Sequence, residues 1–350
     1  MSCGRNKKLK KYYGKVEKIE SNNFQETSTK EISGLEDFKN RRLYSNKILG
    51  QLSIQNFFSK INHTVFKLHD SMLDIRMNME RFILEALENL KSKESVIVFG
   101  AGPCNDIPLE LLTENFSQVI LVDIDIISTQ KAIERLDISL RSKVKIIQMD
   151  ISGLDELFAK IKRLSSINAS VNEIELLLNT YEYKSIELLP EINTKYDLSI
   201  SSCVATQLVT PYITHILRDN YINDNIYKII TSIARKAAYN HCYLVRKHTK
   251  DAGFSIITTD VFEWGYFANN PISLANALPS LPITMNFQEF INIYLNKYRD
   301  YMLVGSTILY DINTFFNNVV ARGWYWEIEN STLTYRLYMV MGALLKPKPR

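Results

Sequence analysis

The chain has 350 residues, of which 46% are apolar, with 12 glycines and a formal charge of +4. That is enough apolar material for a substantial core, in one large domain or one domain with an extension. The small net charge argues against a nucleic-acid binder, which would carry a strongly basic face.

Residues 1–40 are polar, with Ser21-Asn22-Asn23 and Thr27-Ser28-Thr29 as breakers, and read as an arm. Residues 41–62 and 64–91 read as helices. In the second, Phe66, Met72, Met79, Phe82, Ile83 and Leu87 recur at helical spacing. Val96–Phe99 is continuously apolar and β-branched, and reads as a buried strand. Gly100 and Gly102 follow, with Ala101 between them. Such a turn bends sharply and lets a ligand meet the backbone without a Cβ. Asn105 and Asp106 are helix-capping types, and Pro108 suits a first helical turn.

A helix over Leu109–Phe116 leads to a second strand, Gln118–Val122, which ends in Asp123. That acid lies 21 residues beyond Gly102, where nucleotide sites place a ribose-binding carboxylate. Asp125 is the second acid there and reads as a solvated loop residue. A third strand, Val144–Met149, ends in Asp150, and a fourth, Asp197–Ile200, runs into Ser201-Ser202-Cys203. Asp150 reads either as a ligand-binding acid or as a helix cap. Helices over Pro211–Asp219 and Asn225–Thr249 follow, then a strand over Phe254–Thr259 ending at Asp260. Further helices are expected over Asn286–Tyr301 and Asp311–Ala321. Two strands, Trp324–Glu329 and Thr334–Leu345, close the chain. The first strands all finish in polar residues at their C-terminal ends, where open α/β sheets bind ligands.

Four segments together resemble the first four motifs of class I S-adenosylmethionine-dependent methyltransferases, in order and in spacing. They are Phe-Gly-Ala-Gly-Pro-Cys-Asn-Asp (99–106), Leu-Val-Asp-Ile-Asp (121–125), Gln-Met-Asp-Ile (148–151) and Tyr-Asp-Leu-Ser-Ile-Ser-Ser (196–202). The resemblance spans residues 80–345. It implies an α/β fold: a Rossmann-like, doubly wound, seven-stranded sheet with an antiparallel last strand and an N-terminal helical extension. The chain then divides into a polar arm (1–40), a helical substrate-covering extension (41–91) and a catalytic domain (92–350). S-adenosylmethionine is the implied cofactor. Gly100, Ala101 and Gly102 would lie under its methionine part. Asp123, with Ile124, would hold the ribose, and Asp150, with Ile151, the adenine. Ser201 and Ser202 would face the reaction centre. Val98 stands where the family often has an acid, so the methionine ammonium group would turn to Asp106 or to carbonyls near Ser201.

The acceptor is expected to be a small molecule, methylated on oxygen or nitrogen. The Asp/Asn-Pro-Pro-Tyr signature of many enzymes that methylate nitrogens of nucleic acids and proteins is absent after the fourth strand. His69, Gln207, Trp264 and Tyr266 are the candidate acceptor contacts, with Trp264–Phe267 read as a loop beyond the fifth strand. His69, Asp260 and Glu263 are candidate bases. Cys203 reads as a small buried thiol, since nothing near it in sequence activates it. Three other functions fit the same pattern: aminocarboxypropyl transfer from the same cofactor, an NAD-dependent oxidoreductase, and a non-catalytic cofactor-binding scaffold. Asn105 in place of a third glycine and the acid at Asp150 speak against the NAD reading.

No metal site is expected, because the five histidines and four cysteines show no ligand spacing. No apolar run approaches the roughly 20 residues that span a bilayer. No apolar segment follows the basic N-terminus as in a secretory signal. A cytoplasmic protein with no membrane partner is therefore expected, and a homodimer is left open.

Overall fold

A computed structural model of the chain describes residues 52–63, 72–183, 194–267, 270–271, 292, 296, 298–299, 302–330 and 334–349. A helix over residues 52–63 (α1) precedes α2 (Leu73–Asn89). The sheet then alternates with helices: β1 (Ser95–Phe99), α3 (Leu109–Asn115), β2 (Gln118–Asp123), α4 (Ile126–Glu134), α5 (Ile138–Arg141) and β3 (Val144–Gln148). Next come α6 (Asp155–Ser166), α7 (Val171–Thr180), β4 (Tyr196–Ser202), α8 (Thr210–Tyr221), α9 (Asp224–Lys247) and β5 (Thr249–Phe267). The described chain closes with β6 (Asn270–Pro271), α10 (Ile308–Phe315), β7 (Phe316–Asn330) and β8 (Thr334–Pro347).

The strand order is β3-β2-β1-β4-β5-β8-β7, with the two-residue β6 paired to β5 off this path. Strands β1 to β5 are parallel, and β8 is antiparallel to both β5 and β7. The last strand of the chain thus enters between two earlier ones, as expected for this Rossmann-like sheet. The inner strands β1 and β2 are buried on both faces, which is why they read as apolar runs, whereas the edge strand β3 is partly exposed. Ile97, Phe99, Ile120 and Val122 point to one core, with α1, α6, α8, α9 and α10. Val96, Val98, Val119, Leu121 and Ile200 point to the other, with α2 and α3. Alternation of side chains along each strand divides them.

Two departures from the sequence reading have tertiary causes. β5 continues through Trp264–Phe267 because β8 pairs with it along that whole length, with a bulge between Asp260 and Phe262. The expected loop is therefore strand, and the side chains of Trp264 and Tyr266 lie outside the described residues. β7 begins at Phe316, inside the expected helix Asp311–Ala321, because Asn317–Ala321 pairs with β8 and the β-branched Val319 and Val320 suit a strand. Of the segment 41–91, the described helices α1 and α2 take different places. α2 packs under the antiparallel end of the sheet, where Phe82 lies beside Trp324 and Glu85 pairs with Arg322. α1 lies at the C-terminal ends of β2 and β3. Among the described residues no helix is long and apolar enough to cross a membrane.

Candidate functional site

The parallel sheet reverses its winding between β1 and β4. Open α/β sheets bind ligands in the crevice outside the strand ends at such a switch point. Two loops meet there: Gly100–Asp106 after β1 and Cys203–Gln207 after β4. The first carries three left-handed residues, Gly100 (φ +67°), Gly102 (φ +49°) and Cys104 (φ +50°). It is tied to the end of β2 by Gly100 N–H and Ala101 N–H, which both donate to the Val122 carbonyl at 2.8 and 3.2 Å. The two glycines differ in what surrounds them. A Cβ on Gly100 would stand 2.5 Å from Val204 Cγ2, so this glycine lets the second loop pack on the first. A Cβ on Gly102 would meet only the Asn62 carboxamide, at 3.8 Å. The turn at Gly102 is thus a shallow cradle bounded on this side by the Asn62 side chain of α1 and not by the second loop.

Asp123 closes the floor of that cradle. Its Oδ2 accepts the Gly102 N–H at 2.7 Å and its Oδ1 the Asp125 N–H at 2.7 Å. Burial pushes its carboxyl up to about 6, against the pull of these bonds. Each oxygen keeps a lone pair for a further donor such as a sugar hydroxyl. Ile124 is buried beside it.

Asp125 is buried rather than solvated, which corrects the sequence reading. It caps α4 by accepting the Ser128 N–H, and it holds α1 through Ser59 Oγ at 2.6 Å and Asn62 Nδ2 at 3.0 Å. Burial opposes its ionisation, and the bonds from Ser128, Ser59 and Asn62 outweigh burial and hold its carboxyl low. Spacing alone could not show this, because the partners are more than 60 residues away.

Asp150 turns back on its own loop, accepting from Ser152 N–H at 2.8 Å and Ser152 Oγ at 2.9 Å. Burial pushes it up to about 6, and nearby Asp155 adds to this. Ile151 is buried, and Tyr181 and Tyr183 donate to the carbonyls of Gly153 and Ser152.

At the end of β4 the side chains alternate. Ser201 turns its hydroxyl to His241 Nε2 on α9, at 2.7 Å. Ser202 turns the other way, to Thr258 Oγ1 at 3.1 Å and to Asp106. Burial raises the Asp106 carboxyl, opposed by the Ser202 hydrogen bond and by Arg76. Cys203 stands among these groups. Burial and then the Asp260 charge push its thiol well up, which favours the thiol over the thiolate. Asp260 accepts from Thr206 Oγ1 at 3.2 Å, and Glu263 accepts from Tyr338 at 2.8 Å. Gln207 is exposed at the mouth of the loop, whereas His69 lies outside the described residues. His215 packs on Phe57 of α1, 4.8 Å between ring centres. Among the described residues no cluster of His, Cys, Asp or Glu could hold a metal ion.

Sequence reasoning missed several residues that shape this place. His241 is one. Burial lowers it to about 4, so it is a neutral imidazole at ordinary pH. Its only signal was its position in the small-residue face Ala234, Ala237, Ala238 and Cys242 of α9. Gly305 (φ +98°) is another. A Cβ there would lie 2.3 Å from the Ala205 carbonyl, so the segment before α10 seals the back of the second loop.

The raised acids carry a pH consequence. Asp123 holds its proton more tightly when folded than in the unfolded chain, so its contribution to stability is full below about 4 and is lost as pH rises through about 6. Replacing Asp123 with asparagine should remove this dependence, a difference of at most about 3 kcal/mol between pH 4 and 7. Urea unfolding at both pH values checks it. A wild-type and Asp123→Asn difference that is the same at both refutes the assignment.

No protein-family model matches the sequence, and no curated protein matches it. Solved structures overlay on parts of it. The N-methyltransferase NodS from Bradyrhizobium japonicum WM9, in complex with S-adenosyl-L-homocysteine, is 10% identical, with a TM-score of 0.36 over 79% of this chain and 87% of that one. A putative methyltransferase from Bacillus halodurans C-125 is 9% identical, with a TM-score of 0.40 over 78% of this chain and 100% of that one. The glycopeptide N-methyltransferase MtfA, complexed with S-adenosyl-L-methionine, is 9% identical, with a TM-score of 0.33 over 74% of this chain and 92% of that one. The loops, strand ends and acids described above carry the functional reading.

Proposed function

We propose that the chain transfers a methyl group from S-adenosylmethionine to a small-molecule oxygen or nitrogen acceptor. The observation that carries this reading is the Gly102 cradle at the switch point, floored by a buried acid 21 residues away. S-adenosylmethionine, when bound, supplies an electrophilic sulfonium methyl group. The chain has only to hold the two reactants in line and exclude water.

Gly100, Ala101 and Gly102 would lie along the methionine part. Asp123, with Ile124, would accept from the ribose hydroxyls, and Asp150, with Ile151, would hold the adenine. Asp106 takes the place of the acid missing at Val98 and neutralises the ammonium group, with Ser202 steadying it. Ser201 would contribute through its backbone, since its hydroxyl is committed to His241. Asp260 and Glu263, on the stretch of β5 that leaves β4, would be the candidates to take a proton from an acceptor. Gln207, Trp264, Tyr266 and His69 remain the proposed acceptor contacts.

Calorimetry with S-adenosylmethionine and S-adenosylhomocysteine tests the cofactor, and a screen of small amines, phenols and alcohols by mass spectrometry tests the transfer. Binding of both cofactor forms with a product 14 mass units heavier is the expected result. A folded chain that binds neither, or that binds NADH instead, overturns the reading. A product carrying an aminocarboxypropyl group would keep the cofactor and change the reaction.

α1 should matter for the cofactor and the arm should not. Removing residues 1–40 is expected to leave S-adenosylhomocysteine affinity within about twofold. Ser59→Ala with Asn62→Ala should weaken it by up to about 30-fold, since two bonds to Asp125 are lost at roughly 1 kcal/mol each. Equal affinities for the two variants would separate α1 from the site.

A further inference from the structure

We infer that Arg135 is a positioning residue for the proposed cofactor loop, acting through Asn105 and the carbonyls of Pro103 and Cys104. The inference rests on the reading above only for the ligand named in the test. Arg135 ends α4, the helix that Asp125 begins. Its guanidinium folds back onto the loop after β1. Nη1 donates to Asn105 Oδ1 at 2.9 Å, and Nη2 donates to the Pro103 carbonyl and, at 3.5 Å, to the Cys104 carbonyl. A planar fork can serve several acceptors at once, which an ammonium group does less well.

The loop needs such a brace. Cys104 is a non-glycine residue at φ +50°, a conformation that disfavours a side chain. Its N–H closes a turn on the Ala101 carbonyl at 2.9 Å, which fixes the course of the chain past Gly102. Asn105 stands where a dinucleotide-binding loop has its third glycine, and that glycine allows close packing of helix on strand. Here Asn105 is almost wholly buried and its carbonyl oxygen is bound to Arg135. The pair supplies by hydrogen bonding the register that a glycine would supply by close approach. α4 therefore touches the site at both ends. Asp125 at its start holds α1, and Arg135 at its finish holds the loop.

The test uses the full chain with Arg135→Lys, Arg135→Ala, Asn105→Ala and the double variant Asn105→Ala/Arg135→Ala. Amide hydrogen exchange without ligand is expected to show faster exchange at Gly102 and Cys104 in each single variant, with exchange in β3 unchanged. S-adenosylhomocysteine should bind at least tenfold more weakly to Arg135→Ala. Lysine should restore only part of this, added guanidinium should recover part of the affinity of Arg135→Ala, and the double variant should be no worse than the worse single one. If Arg135→Ala is too unstable to study, Arg135→Lys carries both measurements, expected at several-fold weaker binding. Affinity within twofold of wild type in folded Arg135→Lys and Arg135→Ala overturns the inference. A wild-type chain that binds no S-adenosylhomocysteine refutes the proposed cofactor. In that case the exchange measurement decides for Arg135: faster Cys104 exchange supports it, and unchanged exchange overturns it.

Discussion

Replacing Gly100 with alanine is expected to abolish cofactor binding and to cost the fold about 2–5 kcal/mol. That sum combines a left-handed non-glycine residue, roughly 1–2 kcal/mol, with overpacking of roughly 1–3 kcal/mol. The new Cβ would lie 2.5 Å from Val204 Cγ2 at a backbone φ of +67°. Val204 is buried and β-branched, so it has little freedom to turn aside. The two loops at the switch point would have to separate. Gly102→Ala makes the informative comparison. It has a similar φ but no protein neighbour nearer than 3.8 Å, so its cost to folding should be only the backbone part. Urea unfolding ranks the two, and calorimetry with S-adenosylhomocysteine follows binding. Equal unfolding midpoints for Gly100→Ala and wild type would show that the loops do not pack as described.

Asp123→Ala is expected to weaken S-adenosylhomocysteine binding by about 10- to 100-fold, the worth of charge-assisted hydrogen bonds at about 1.5–3 kcal/mol. The loss has two sources. The carboxylate would accept from the ribose, and it also holds the Gly102 N–H that shapes the cradle. Asp123→Asn separates them in part, because an amide keeps one acceptor oxygen and loses the charge. The wild-type affinity should also depend on pH. Burial raises this carboxyl to about 6, and hydroxyl donors favour its ionised form. Binding should therefore release protons near pH 6 and weaken by up to about tenfold per unit below it. Calorimetry in buffers of different ionisation enthalpy reads the proton count directly. Proton release identical in wild type and Asp123→Asn would remove this acid from the site.

What could be read without the structure was local. Val96–Phe99 is apolar and β-branched, two glycines break it, and Asp123 and Asp150 end the next two strands. Strand, turn and cap signals depend on neighbours within a few residues, so they survive in one dimension. The bland reading of Cys203 also came from the sequence, because no activating group adjoins it.

The rest was decided by contacts that no spacing encodes. Ser59 and Asn62 reach Asp125 from more than 60 residues away, and Arg135 reaches Asn105 from 30. Asp125 looked solvated until α1 covered it. β5 and β7 ran past their expected limits because β8 supplied hydrogen-bond partners along them, whatever the local propensity. α2 has the periodicity of any amphipathic helix, and periodicity names a buried face without naming what it meets. The sequence by itself determined the alternating α/β order, the glycine turn and the acids at the strand ends, since each is set by short-range sterics and burial pattern. Only the tertiary structure decided which distant side chains bond to the turn, what each strand-end acid holds and where α1 and α2 pack. Those depend on pairing between distant segments, which form only when both faces of the sheet are buried together.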